Sequence, residues 1–126
     1  MHVTMKDRVA VITGGSKGLG LAMARQFAAS GAKVAILARG AADLKAAREL
    51  LARDSIEVRD YACDVSKAAD IARAHEKIVG DLGPVDILIN NAGTARTMAF
   101  ENISDEAWQE DLDLKLFAAI RFSRLV

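Results

Sequence analysis

The stretch Arg8-Val9-Ala10-Val11-Ile12-Thr13-Gly14-Gly15-Ser16-Lys17-Gly18-Leu19-Gly20 decides the fold. Its first six residues are nearly continuous in apolar character, as in a strand covered on both faces. Gly14, Gly18 and Gly20 follow at G-x-x-x-G-x-G spacing, and Leu19, Met23 and Phe27 then recur every four residues until Gly31 stops the pattern. Strand, glycine turn and helix in that order let backbone N–H groups approach a pyrophosphate, and the helix start adds a dipole that favours negative charge. The strict G-x-G-x-x-G fingerprint is not met, because Met23 holds its third position. A Walker A loop is excluded, since Lys17 precedes Gly18 and Gly20-Leu21 follows.

Outward from this unit the same alternation repeats. Apolar runs at 33–38 and 85–90 read as further buried strands, and the charge-interrupted run at 56–63 reads as an edge strand. Leu44, Ala47 and Leu51 mark a second helix. Ser66 is expected to cap a third, with Ile71, Ala74 and Ile78 on one face and Gly83-Pro84 turning the chain into strand four. Ser104 is expected to cap a fourth, with Asp105 and Glu106 in its first turn. The last helix, from Leu112 to Val126, is apolar on several sides. Leu112, Leu116 and Ala119 face one way while Leu114, Phe117 and Leu125 lie round the side, so one face can cover the sheet and another wants a partner. The result is an α/β chain, residues 1–126 as one domain, with a Rossmann-type, doubly wound parallel sheet of four strands in the order 3-2-1-4.

Composition narrows the function. The 126 residues are 52% hydrophobic, enough for a core, and 17 basic residues balance 17 acidic ones. No net positive charge is available for general nucleic-acid binding. One cysteine excludes an internal disulfide framework, and Cys63 with His2 and His75 makes no standard structural zinc site, so no metal is expected. No apolar run reaches the roughly 18 residues of a membrane span, and Met1 to Arg8 lacks the apolar stretch of a signal peptide. A soluble cytoplasmic protein is the expectation.

The end of strand two bears on which dinucleotide is bound. An acidic residue there would bond the adenosine ribose hydroxyls and favour NAD. Ala38 and Arg39 stand there instead, and a guanidinium can pair bidentately with a 2′-phosphate. Lys17 in the glycine turn can add a second positive charge, so NADP(H) is preferred over NAD(H).

Three ordered motifs, Thr13-Gly14-x-x-x-Gly18-x-Gly20, Cys63-Asp64-Val65 and Asn90-Asn91-Ala92-Gly93, resemble the motif set of the short-chain dehydrogenases/reductases. The resemblance covers the whole chain but only the N-terminal half of the family's domain, so the chain is expected to be truncated relative to the full fold. It implies that Gly14, Ser16, Lys17, Gly18, Leu19 and Gly20 bind the coenzyme phosphates. It implies too that Asp64 and Val65 meet the adenine, and that the Asn90, Ala92 and Gly93 segment borders the coenzyme ribose. Asn91 reads equally well as structural support, because a buried amide at a strand end needs hydrogen bonds in any case. In the family the proton donor is the Tyr of a Tyr-x-x-x-Lys turn, aided by a Ser and by an Asn in the preceding helix. Here Tyr61 is the single tyrosine, Val65 stands four residues on, and Lys115 occupies the Asn position. An ammonium accepts no hydrogen bond, so Lys115 receives no catalytic role and no catalytic residue is assigned.

Two functions fit these residues. One is the coenzyme-binding half of an NADP(H)-dependent oxidoreductase for alcohols or ketones, inactive alone; of its substrate pocket only the loop from Ala95 to Asn102 is in the chain. The other is a non-catalytic nucleotide-binding or interaction module. Without further strands, strand four becomes an exposed edge, and homo-oligomerisation through that edge and the last helix is expected.

Overall fold

The structure is a computed structural model that describes residues 3–94 and 97–126. His2, set aside as a metal ligand, and Ala95, the start of the pocket loop, lie outside the described residues. The elements run β1 (Val9–Thr13), α1 (Gly18–Ala29), β2 (Lys33–Ala38), α2 (Ala41–Ala52), β3 (Arg59–Ala62), α3 (Ala68–Leu82) and β4 (Ile87–Ile89). A 3₁₀ turn (Phe100–Asn102), α4 (Asp105–Leu112), a π-helical turn (Asp113–Phe117) and α5 (Ala118–Leu125) follow. The four strands form one parallel sheet in the order β3-β2-β1-β4.

Side-chain alternation along β1 explains the two covered faces. Val9 and Val11 join Ala35 and Leu37 of β2 in a core closed by Ile71, Ala74 and Ile78 of α3 and by Ala118 and Phe122 of α5. Ala10 and Ile12 join Val34 and Ile36 in a second core, closed by Ala24 of α1 and by Leu44, Ala47 and Leu51 of α2. Every residue of β1 is buried, as its unbroken apolar run requires.

Gly31 and Gly83 follow their helices at φ +97° and +101°, backbone that glycine adopts without the strain a side chain would add. Ser104 caps α4, its hydroxyl accepting from the Ala107 amide at 3.2 Å.

Four local expectations need correction. Ser66 does not cap α3; Lys67 holds that position without a side-chain bond, and Ser66 donates both its amide (3.1 Å) and its hydroxyl (2.6 Å) to Asp64. A carboxylate two residues upstream outcompetes the helix for that hydroxyl. Leu19 is 70% exposed rather than part of the core stripe, because it lies in the first turn of α1, at the open rim of the sheet. Strand three is shorter than 56–63: only Arg59 to Ala62 pair with β2, because Ser55 at φ +60° ends a turn closed by the Ile56 amide on the Leu51 carbonyl. In the last helix, Leu112 and Leu116 face solvent, and Leu114, Ala118 and Phe122 face the sheet. The π turn at 113–117 adds a residue to one helical turn, so a single 3.6-residue stripe cannot describe both halves.

Candidate functional site

Register brings the carboxyl ends of all four strands to one rim. Thr13 lies beside Leu37, Ala38 beside Ala62, and Ile12 beside Ile89. The glycine turn, Arg39, Asp64 and Asn90 therefore leave the sheet on the same side. Between β1 and β4 the strand order reverses, the place where open α/β sheets leave a crevice.

The glycine turn is packed on its inner side and open on its outer side. Gly14 and Gly18 adopt φ +65° and +56°. A Cβ on Gly20 would overlap the Gly14 carbonyl oxygen and lie 2.6 Å from the Asn91 amide nitrogen, and one on Gly15 would lie 2.7 Å from Ile36. A Cβ on Gly18 would meet nothing within 4 Å. The first turn of α1 carries no acidic residue, and its N-cap, Lys17, makes no side-chain cap bond. An open, uncapped helix start after a tight glycine turn suits an anion. A dinucleotide phosphate group fits the residues present.

Thr13 and Asn91 hold this turn in place. The Thr13 hydroxyl, in a residue only 3% exposed, accepts from the Asn91 and Ala92 amides, both at 3.0 Å, and donates to the Ile89 carbonyl at 3.3 Å. The Asn91 side chain donates to the Gly14 carbonyl at 3.2 Å. In the sequence Thr13 stands only as part of a motif; its place as the last residue of the apolar run, directly before the glycines, is the signal that marks it. Asn90 points elsewhere and donates to the Ser123 hydroxyl of α5 at 3.5 Å. Ala92 is half-buried against the core and Gly93 is exposed.

Beyond the ends of β2 and β3, Arg39, Asp64, Ser66 and Thr94 line a cleft of about 390 Å³ together with Glu110, Asp111, Asp113 and Leu114. Burial pushes the Asp64 carboxyl upward, but the Ser66 hydroxyl and amide, then Lys67 and Arg39, outweigh it and leave the group below its ordinary value. Val65 is buried in the core beneath. Burial, then the charges of Asp70 and Asp64, push the neighbouring Cys63 thiol up to about 11, leaving it an inert core residue. Arg121, given no role by sequence, donates from α5 to the Ser66 carbonyl at 3.3 Å and lies over the Phe117 ring.

Two charged groups look different in space. Lys17 does not stand unopposed: its ammonium lies 3.3 Å from the Asp43 carboxylate of α2, a residue to which sequence assigned nothing. Lys115 sits in the π turn and pairs with Asp111 one turn back at 3.0 Å. Tyr61 donates to Asp81 at 2.7 Å, and burial, reinforced by that carboxylate, raises its hydroxyl far above the ordinary phenol value, the wrong direction for a proton donor.

Comparison with known proteins agrees with this geometry. The family model described as short chain dehydrogenase matches residues 8–126. The chain is 35% identical to D-threitol dehydrogenase of Mycolicibacterium smegmatis over 112 residues, covering 89% of this chain and 43% of that protein. It is 34% identical to D-beta-hydroxybutyrate dehydrogenase of Cupriavidus necator over 121 residues, covering 96% and 47%. The crystal structure of L-sorbose reductase from Gluconobacter frateurii, complexed with NADPH and L-sorbose, superposes with a TM-score of 0.94 at 35% identity, covering all of this chain and 48% of that one. The chain thus spans about half the length of the curated relatives it matches. With its parallel 3-2-1-4 sheet and the glycine turn at the strand ends, the chain belongs to the short-chain dehydrogenase family.

Proposed function

We propose that this chain is the coenzyme-binding half of an NADP(H)-dependent oxidoreductase that interconverts small alcohols and ketones. The observation that carries the reading is the glycine turn, closed by packing at Gly14, Gly15 and Gly20 and open at Gly18. Backbone amides of Ser16 to Gly20 hold the diphosphate, Arg39 and Lys17 the additional phosphate, Asp64 and Val65 the adenine, and Asn90, Ala92 and Gly93 border the ribose. The coenzyme supplies or accepts the hydride. The chain's own part is to bind and orient it: Thr13 and Asn91 fix the turn, and Asn90 links the rim to α5. No Tyr-x-x-x-Lys is present in the 126 residues, so this chain alone turns nothing over. The NADPH complex of the sorbose reductase neighbour supports the coenzyme choice.

Titration of NADPH and NADH against wild type and Arg39→Ala tests this. The substitution should weaken NADPH about five- to tenfold, the worth of a partly exposed charged hydrogen bond, and leave NADH unchanged. Equal affinity for both coenzymes, insensitive to the substitution, removes the preference.

A cytoplasmic homo-oligomer completes the reading. Among the described residues no helix is long and apolar enough to cross a membrane. Leu112, Leu116, Phe117, Ile120 and Leu125 are exposed along the last helix, and β4 is an edge strand. A second copy of the protein is the proposed cover for this helix and edge. Sedimentation velocity should show self-association that deepens with concentration; a monomer at every concentration removes this part.

A further inference from the structure

The ion pair between Lys17 and Asp43 bridges the glycine turn and the first turn of α2. Local structure keeps the carboxylate there. Asp43 is the third residue of α2, where the helix dipole favours negative charge, and the N-cap is Gly40, which has no side chain to offer. A Cβ on Gly40 would lie 3.4 Å from the Asp43 carboxylate, so the carboxylate folds back over the link between Arg39 and the helix. The two side chains are 74% and 52% exposed, which makes the pair weak and readily exchanged for another anion. Arg39, on the same link, lies beside Asp64, whose carboxyl it helps to keep ionised.

We infer that Asp43 is a specificity-determining residue for the coenzyme. Its carboxylate competes with the additional phosphate of NADP(H) for the Lys17 ammonium. Discrimination between the phosphorylated and unphosphorylated coenzymes is therefore set by Arg39, Lys17 and Asp43 together, with Asp43 acting against the two cations. The unphosphorylated coenzyme leaves the ion pair closed; the phosphorylated one must open it. The inference rests on the NADP(H) reading above and adds a residue that lowers, rather than raises, that preference.

The experiment measures NADPH and NADH dissociation constants on the complete polypeptide by fluorescence titration. Wild type, Asp43→Asn, Lys17→Ala and the double variant are compared. Asp43→Asn should tighten NADPH about two- to fivefold, the range of an exposed ion pair, and leave NADH unchanged. The gain should shrink at ~0.3 M salt, where exposed charges are screened, and vanish in the Lys17→Ala background. An unchanged NADPH affinity in a wild-type-like fold overturns the inference while the coenzyme reading stands, and so does a gain of equal size without Lys17. A polypeptide that binds neither coenzyme overturns the reading and the inference together. Asp43→Ser, which also suits the first turn of a helix, replaces Asp43→Asn should the latter fail to fold.

Discussion

At the β1 end of the rim, Thr13 is buried with its hydroxyl bonded three ways, Asn91 clamps the Gly14 carbonyl, and Gly20 leaves no room for a methyl group. At the β2 end, Lys17, Arg39 and Asp43 all reach into water. The first region is a backbone shape fixed by buried polar bonds, which are expensive to leave unmade. The second is a balance of solvated charges, each worth little alone. In the function proposed above these ends take two tasks: the rigid end would bind what both coenzymes share, and the exposed end would read the one group by which they differ. Changes at the rigid end should cost stability and affect both coenzymes alike. Changes at the exposed end should leave stability within about 0.5 kcal/mol and move the coenzymes apart.

Gly20→Ala is the strongest way to break the contrast. The added Cβ overlaps a backbone carbonyl that cannot rotate away, because that carbonyl accepts from Asn91. Overpacking of this kind should destabilise the fold by about 1–3 kcal/mol. Affinity for NADPH and NADH should fall together by more than about tenfold, since a lost hydrogen-bonding geometry at the diphosphate acts on both. Urea denaturation and coenzyme titration check the two halves of this expectation. Wild-type stability with wild-type binding would show that the turn is looser than its packing indicates. The Arg39→Ala and Asp43→Asn titrations sharpen the same contrast from the other end, with effects confined to NADPH and opposite in sign.

The two ends also differ in how far they are readable from sequence. β1 is legible because a central strand buried on both faces must be continuously apolar, and the glycines after it have few other uses. Helices that alternate with the strands make the sheet parallel, and the glycine turn after β1, which marks a dinucleotide-binding unit, points to the 3-2-1-4 order. Asp43 escapes notice because its partner lies 26 positions earlier and neither side chain is buried, so no hydrophobic period points to the pair. Phe122, a fully buried side chain, is hidden for a different reason. The π turn at 113–117 shifts the helical phase, and apolar residues counted from Leu112 lead to the solvent side. Ser66 misleads because a capping residue and an Asx-turn partner have the same chemistry, and only the position of Asp64 decides between them. Local hydrogen-bond competition and exposed ion pairing are properties of geometry that residue type alone does not encode.

Asp64 gives the smallest effect and tests the boundary between the two regions, since its backbone belongs to the packed loop and its carboxylate to the cleft. Its folded carboxyl lies below the ordinary value because the Ser66 bonds and nearby cations outweigh burial. A depressed carboxyl stabilises the fold at pH values above the unfolded-state value of about 3.9. That stabilisation is lost as pH falls through the folded value, because the folded state resists the proton the unfolded chain accepts. Asp64→Asn keeps an acceptor for Ser66 but carries no titrating charge. The stability difference between wild type and Asp64→Asn should therefore be flat from pH 8 to about pH 5 and narrow below about pH 4. Denaturant midpoints across that range check it. Parallel curves down to the acid transition would mean that Ser66 bonds a carboxyl no more acidic than in the unfolded chain. The loop would then owe its shape to the buried backbone at Cys63 and Val65 rather than to charge.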